Sequence, residues 1–129
     1  MVGDSHYTSF IVLKRWMENR NQGKSLPEYF SQHKYRKIGV YGAGDLGGLL
    51  YAELAGSVVE TAYFIDRNAE GLGNVSGIPV ITMDEVIEQD AVDAIVVTPI
   101  GEFDLIVQEF LRIAPEIAVI SLYDAVYEL

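Results

Sequence analysis

The chain has 129 residues, half of them hydrophobic and 22% charged. That is the length and composition of one domain with its own core, and it excludes a disordered segment. Nineteen Asp and Glu against nine Lys and Arg give a net charge of -10, which argues against nucleic acid, because phosphate binding needs a basic surface. Cysteine is absent, so disulfides, a thiol nucleophile and thiolate metal sites are ruled out, which fits a reducing, cytoplasmic setting.

Residues 1–6 read as a frayed terminus. From Tyr7 to Asn21 the pattern is helical. Phe10, Leu13 and Met17 share one face while Val12 and Trp16 lie on another, so this helix asks for two partners. Gly23 ends it. Ser25-Leu-Pro-Glu28 reads as a capping box with proline in the first turn, opening a short helix through Tyr29 and Phe30. Lys37–Tyr41 is a strand ending in glycines, and Asp45–Ala55 a helix with Leu46, Leu49, Leu50 and Leu54 on one face. Val58–Ile65 is a second strand, Asp66–Gly77 a Gly/Asn-rich connection, and Ile78–Ile81 a third strand that Pro79 places at an edge. Thr82-Met-Asp-Glu85 is a second capping box, opening a helix to about Gln89. Ala94–Val97 is apolar without alternation, as in a parallel strand buried on both faces. Phe103, Ile106, Val107, Phe110 and Leu111 form a helical stripe, and Ile117–Leu122 is a fifth strand before a short tail.

Strands alternating with helices predict an α/β domain, a three-layer Rossmann-like fold whose parallel sheet runs 3-2-1-4-5. Residues 1–36 form an N-terminal helical arm and 37–129 the Rossmann-like nucleotide-binding domain. Charge follows this division closely. Residues 1–37 hold seven Lys and Arg against three Asp and Glu, whereas residues 38–129 hold two against sixteen. A solvated acidic surface accounts for this; so does an arm that docks on the acidic body of its own or a second subunit. No apolar run reaches the roughly 18 residues of a membrane span, and no signal peptide is visible.

Gly42-Ala43-Gly44-Asp45-Leu46-Gly47 fits G-x-G-x-x-G, directly after the first strand and at the start of its helix. The first glycine allows the tight turn, the second lets backbone approach a pyrophosphate, and the third lets helix pack on strand, with Gly48 adding room. N–H groups at that helix start would face the phosphates. Asp66 lies 24 residues beyond Gly42, at the end of the second strand, where an acid binds the ribose hydroxyls of an adenosine half. An acid there favours NAD over NADP, and Arg67 beside it leaves room for a 2′-phosphate. Asp45 pulls the other way: it satisfies the positive helix end and repels a close pyrophosphate. A glycine turn that serves packing alone stays open as the alternative. Thr98-Pro99-Ile-Gly101 faces the glycine loop across the switch point. Thr98 either contacts a ligand phosphate or ribose, or ends the strand with Pro99. Tyr41 reads as core.

The only histidines, His6 and His33, lie outside the α/β body, and no His–carboxylate spacing suggests zinc. The chain lacks a P-loop and a G-x-S-x-G elbow, and no body tyrosine is followed by lysine four residues on. No catalytic set is assigned.

Gly23-Lys-Ser-Leu-Pro-Glu-Tyr-Phe30, Tyr35-Arg-Lys-Ile-Gly-Val-Tyr-Gly-Ala-Gly-Asp-Leu-Gly47, Leu50–Leu54 and Phe64-Ile-Asp66 resemble small Rossmann-like domains of bacterial surface-polysaccharide (capsule) biosynthesis clusters. The pattern is similar to the N-terminal domain of nucleoside-diphosphate-sugar dehydratases and epimerases, and Gly77–Val80, Asp93–Pro99 and Val119–Asp124 continue the likeness. The resemblance implies glycine-loop roles for Gly42, Gly44 and Gly47, an acidic ribose-binding role for Asp66, and no catalytic residue. Three functions are compatible with this reading. One is a module binding NAD(H) or a nucleotide sugar, accessory to polysaccharide biosynthesis, as a homodimer or beside a partner or fused enzyme. The second is an assembly domain with a degenerate glycine turn, dimerising through the Tyr7–Asn21 helix. The third is a partial oxidoreductase or methyltransferase completed by a partner chain.

Overall fold

The computed structural model describes the backbone of residues 2–129 and the side chains from His6 onward. In chain order, α1 (Val2–Asn21) and α2 (Leu26–Gln32) precede β1 (Lys37–Tyr41), α3 (Asp45–Leu54) and β2 (Glu60–Ile65). A single turn α4 (Ala69–Leu72), β3 (Asn74–Val75) and β4 (Ile78–Ile81) follow, then a 3-10 segment Met83–Glu88 and β5 (Ala94–Val97). A 3-10 turn Ile100–Glu102 leads into α5 (Phe103–Ile113), β6 (Ala118–Ser121) and α6 (Leu122–Glu128).

This is an α/β fold with a six-stranded, mostly parallel sheet in the order β3-β4-β2-β1-β5-β6. The five strands read from sequence keep their expected relative order. The sixth, β3, lies within the expected Asp66–Gly77 connection and adds an antiparallel edge against β4. Its signal is local: Ser76 and Gly77 both take positive φ, the two-residue hairpin turn that matches strand twist, and the Asn74 side chain accepts the Gly77 N–H at 3.1 Å. β4 is therefore not the edge strand that Pro79 suggested: it lies between β3 and β2, with Pro79 opposite Asn74 on the antiparallel side and outside the parallel pairing of Val80 and Ile81.

Alternation of side chains along the strands creates two cores. Val40, Phe64 and Val96 pack with α1, α2, α3 and α6 on one face. Tyr63, Ile65, Ile95 and Val97 pack with α5 and the Met83–Glu88 segment on the other. β5 is wholly buried, as its unbroken apolar run requires.

The arm belongs to the first of these cores. Val12, Trp16, Leu26 and Phe30 are buried in it. Glu53 of α3 ties α1 and α2 down: its carboxylate accepts Trp16 Nε1–H at 2.9 Å and the Leu26 N–H at 2.7 Å, and it pairs with Arg20. Its side chain is only 5% exposed. Asn19 Nδ2 donates to the Val126 carbonyl at 2.7 Å and joins α1 to α6. Apolar burial plus Arg20–Glu53 and His33–Glu128 pairs thus hold the arm on its own body.

Several local expectations change. Residues 2–6 continue α1 instead of fraying. Ser25 is the N-cap of α2, but its side chain makes no cap bond and the expected box does not form; the Leu26 N–H beside it goes to Glu53. The Thr82 box forms, with Glu85 accepting the Thr82 N–H at 2.9 Å, yet the segment it opens is 3-10. Leu49 and Leu111 leave their expected faces and are 48% and 56% exposed. The expected tail after the fifth strand is α6, capped by Ser121 accepting Tyr123 N–H, with Leu122, Ala125 and Val126 buried.

Candidate functional site

Parallel strands end at one edge of the sheet, and the connections on either side of β1 diverge there, which opens a crevice. The crevice here is a cleft of about 750 Å³ between the β1–α3 loop, the end of β2 and the β5–α5 connection. This volume is within the usual range of small-molecule sites.

The glycine loop forms one wall. Gly42 has φ +102°, and a β-carbon on it would press into Thr98 Oγ1 and lie 3.1 Å from Pro99 Cδ. Gly47 packs against the Gly42 carbonyl, with no space for a side chain. Gly44 differs from both. It has φ -90°, and a β-carbon there would meet nothing within 4 Å. It is the N-cap of α3, no side chain caps this helix, and Gly44 lines the cleft. Among the described residues no side chain accepts from the first N–H groups of α3, and the Asp45 carboxylate in its first turn offsets part of the positive charge of this helix start.

Asp66 has a role that spacing did not reveal. Its carboxylate accepts the Ala43 N–H at 3.0 Å and the Asn68 N–H at 2.9 Å, fastening the glycine loop to the end of β2. A carboxylate has about four lone-pair directions, so the cleft side still has acceptor capacity. Thr98 ends its strand, largely buried with its hydroxyl donating to the Tyr41 carbonyl at 2.8 Å, and it also borders the cleft. Pro99 lines the cleft beside it.

Asp45, Leu46 and Arg67 also line the cleft, while Ala43 packs into the core and Gly47 behind the loop. Arg67 Nη2 approaches Glu102 Oε1 at 3.5 Å across the mouth, with the arginine side chain 85% exposed. Tyr41 faces the cleft, and burial, then nearby Glu102, pushes its phenol above the usual value. Asp45, Asp66 and Glu102 outnumber Arg67, so the cleft is net acidic.

Sequence reasoning missed Thr8, Ser9 and Glu102 as lining residues; Tyr41, expected in the core, is buried there and also borders the cleft. Glu102 directly follows the segment already assigned to the switch point. Thr8 and Ser9 come from α1, which crosses to the mouth of the cleft, and no local pattern marks that crossing.

Among the described residues no helix is long and apolar enough to cross a membrane. No family model matches the sequence, and a search of curated proteins finds no match.

Proposed function

We propose that this chain is a nucleotide-binding module, taking NAD(H) or a nucleotide sugar in the cleft between the glycine loop and the β5–α5 connection. Gly44 carries this reading. Gly42 and Gly47 are accounted for by the chain's own packing, whereas nothing in the chain requires glycine at 44. A glycine that borders an uncapped helix start and a cleft, and touches nothing, fits a backbone kept bare for a ligand. In this reading the ligand's phosphates lie over the first turn of α3 and its ribose reaches the open lone pairs of Asp66.

The module binds without chemistry of its own. Tyr41, the cleft's phenol, is held neutral by a raised pKa and is unsuited to act as a base near neutrality. The resemblance in sequence supports a role accessory to surface-polysaccharide biosynthesis in the cytoplasm.

The test is a thermal-shift screen against NAD(H), NADP(H), S-adenosylmethionine and UDP-, GDP- and dTDP-sugars, followed by calorimetric titration of any hit. Ligand at about 100 times its Kd adds about 2.7 kcal/mol, which raises Tm by about 10 °C in a chain of this length. Loss of the shift in Gly44→Val supports the site. No shift with any nucleotide overturns the proposal.

A further inference from the structure

α1 buries one side and leaves another bare. Val12, Trp16 and Asn19 face the core, while Phe10 and Met17 are 59% and 60% exposed and Leu13 is 40% exposed. Leu49 of α3 continues the patch, and a groove of about 370 Å³ runs between the helices, bordered by Leu13, Trp16, Met17 and Leu49. Two of the polar side chains beside the patch are already paired: Lys14 with Glu18 at 3.2 Å, and Arg20 with Glu53.

We infer that a second copy of this chain docks on the α1/α3 face, making an isologous dimer. Three observations point to this occupant. The first is self-complementarity. Phe10 lies three residues before Leu13 and Met17 four after it, so an antiparallel two-fold centred on Leu13 sets Phe10 of each copy against Met17 of the other.

The second is charge. Residues 38–129 hold sixteen acids against Arg67 and Arg112, so two copies meeting through the body bring carboxylates together. The α1 face is less subject to this, because Lys14–Glu18 and Arg20–Glu53 beside it are paired within each copy.

The third is area. At about 200 Å² for a fully exposed large side chain, the four apolar residues leave roughly 400 Å² bare. A homodimer interface is about 65% apolar, so this corresponds to roughly 600 Å² per copy and about 1,200 Å² in all, the lower end of specific interfaces.

The inference is independent of the nucleotide reading, since the groove and the cleft share no lining residue. The experiment is analytical ultracentrifugation of the full chain over a wide concentration range, with Leu13→Glu, Leu49→Glu and, as control, Leu105→Glu. Leu105 is 67% exposed on α5, which packs on the opposite face of the sheet. The wild type sediments as a dimer. Leu13→Glu and Leu49→Glu each raise its dissociation constant at least about tenfold, the loss of roughly one buried contact, and Leu105→Glu leaves it unchanged. Circular dichroism reports whether each variant folds, and because the two patch variants lie on different helices, one folded variant suffices. A wild type that stays monomeric at every concentration overturns the inference, even if another macromolecule binds the groove. So does a dimer that survives both patch substitutions.

Discussion

Alanine at Gly44 and alanine at Gly47 make a matched pair, because the two positions differ in what a single methyl group meets. At Gly47 the methyl runs into the Gly42 carbonyl oxygen, a backbone atom fixed by its own place in the loop. Overpacking of this kind costs about 1–3 kcal/mol, toward the upper end when backbone must move, and the better helix propensity of alanine returns up to about 1 kcal/mol. The net is a loss of about 2 kcal/mol. With Tm moving about 3–5 °C per kcal/mol at this chain length, Gly47→Ala melts about 6–10 °C lower. At Gly44 the methyl enters empty space at an ordinary φ of -90°. Alanine is a poorer N-cap than glycine, but it stiffens the unfolded chain by about 0.4–1 kcal/mol, so the two effects cancel to within about 0.5 kcal/mol. Gly44→Ala therefore melts like the wild type while weakening any ligand that lies against the loop. Scanning calorimetry without ligand, then with the best hit of the nucleotide screen, reads both quantities. Equal destabilisation by the two substitutions would refute the steric reasoning. Undiminished binding by a stable Gly44→Ala and its valine counterpart would refute the assignment of Gly44 to the ligand.

Glu53→Ala, which strands the Leu26 N–H and Trp16 Nε1–H, is expected to lower the urea-unfolding free energy by about 3 kcal/mol, with Glu53→Gln recovering part of it. Asn19→Ala leaves the Val126 carbonyl without its buried donor, and the same assay should show a loss of about 2 kcal/mol. The Asp93 carboxylate accepts the N–H groups of Lys37 and Arg36, which hold its pKa below the ordinary 3.8. Its contribution to stability is present above that pH and lost as the pH falls through the lower folded value, and Asp93→Asn should flatten the acid limb of a urea-midpoint profile. Burial raises Tyr63 from 10.0 to about 12. The folded state keeps it protonated while the unfolded chain ionises, so this contribution is complete below pH 10 and lost between 10 and 12; Tyr63→Phe should resist alkaline unfolding in that window.

Where the sequence was legible, the signal was short-range. β5 announces itself as four apolar residues in a row, because a strand covered on both faces has no polar side to show. The glycine loop is legible because a strand–turn–helix junction with close backbone approach constrains residues at fixed spacing. The Thr82 box is legible for a similar reason, since both partners lie within one turn. Ser25-Leu-Pro-Glu28 has the same pattern, yet the Ser25 side chain makes no cap bond and the Glu28 N–H goes to the Ser25 carbonyl at 3.1 Å; the neighbouring Leu26 N–H, which a box leaves open, is taken by Glu53, distant in sequence. The hairpin at Ser76-Gly77 was also within reach of local reading, but two-residue strands have too little periodicity to stand out.

Composition, period and spacing by themselves determined an α/β domain, its alternation of strands with helices and the location of the glycine loop, because each depends on residues that are neighbours in the chain. Tertiary structure alone decided that Asp66 fastens that loop, that Thr98 turns its hydroxyl inward to Tyr41, and that Glu53 gathers α1 and α2 onto α3. It alone brought Thr8 and Ser9 to the cleft and turned the other side of α1 out to solvent. These outcomes depend on how elements far apart in the chain meet. An amphipathic pattern states that a helix face can be buried, and only the packed neighbours determine which face is covered and which donor reaches a given carboxylate.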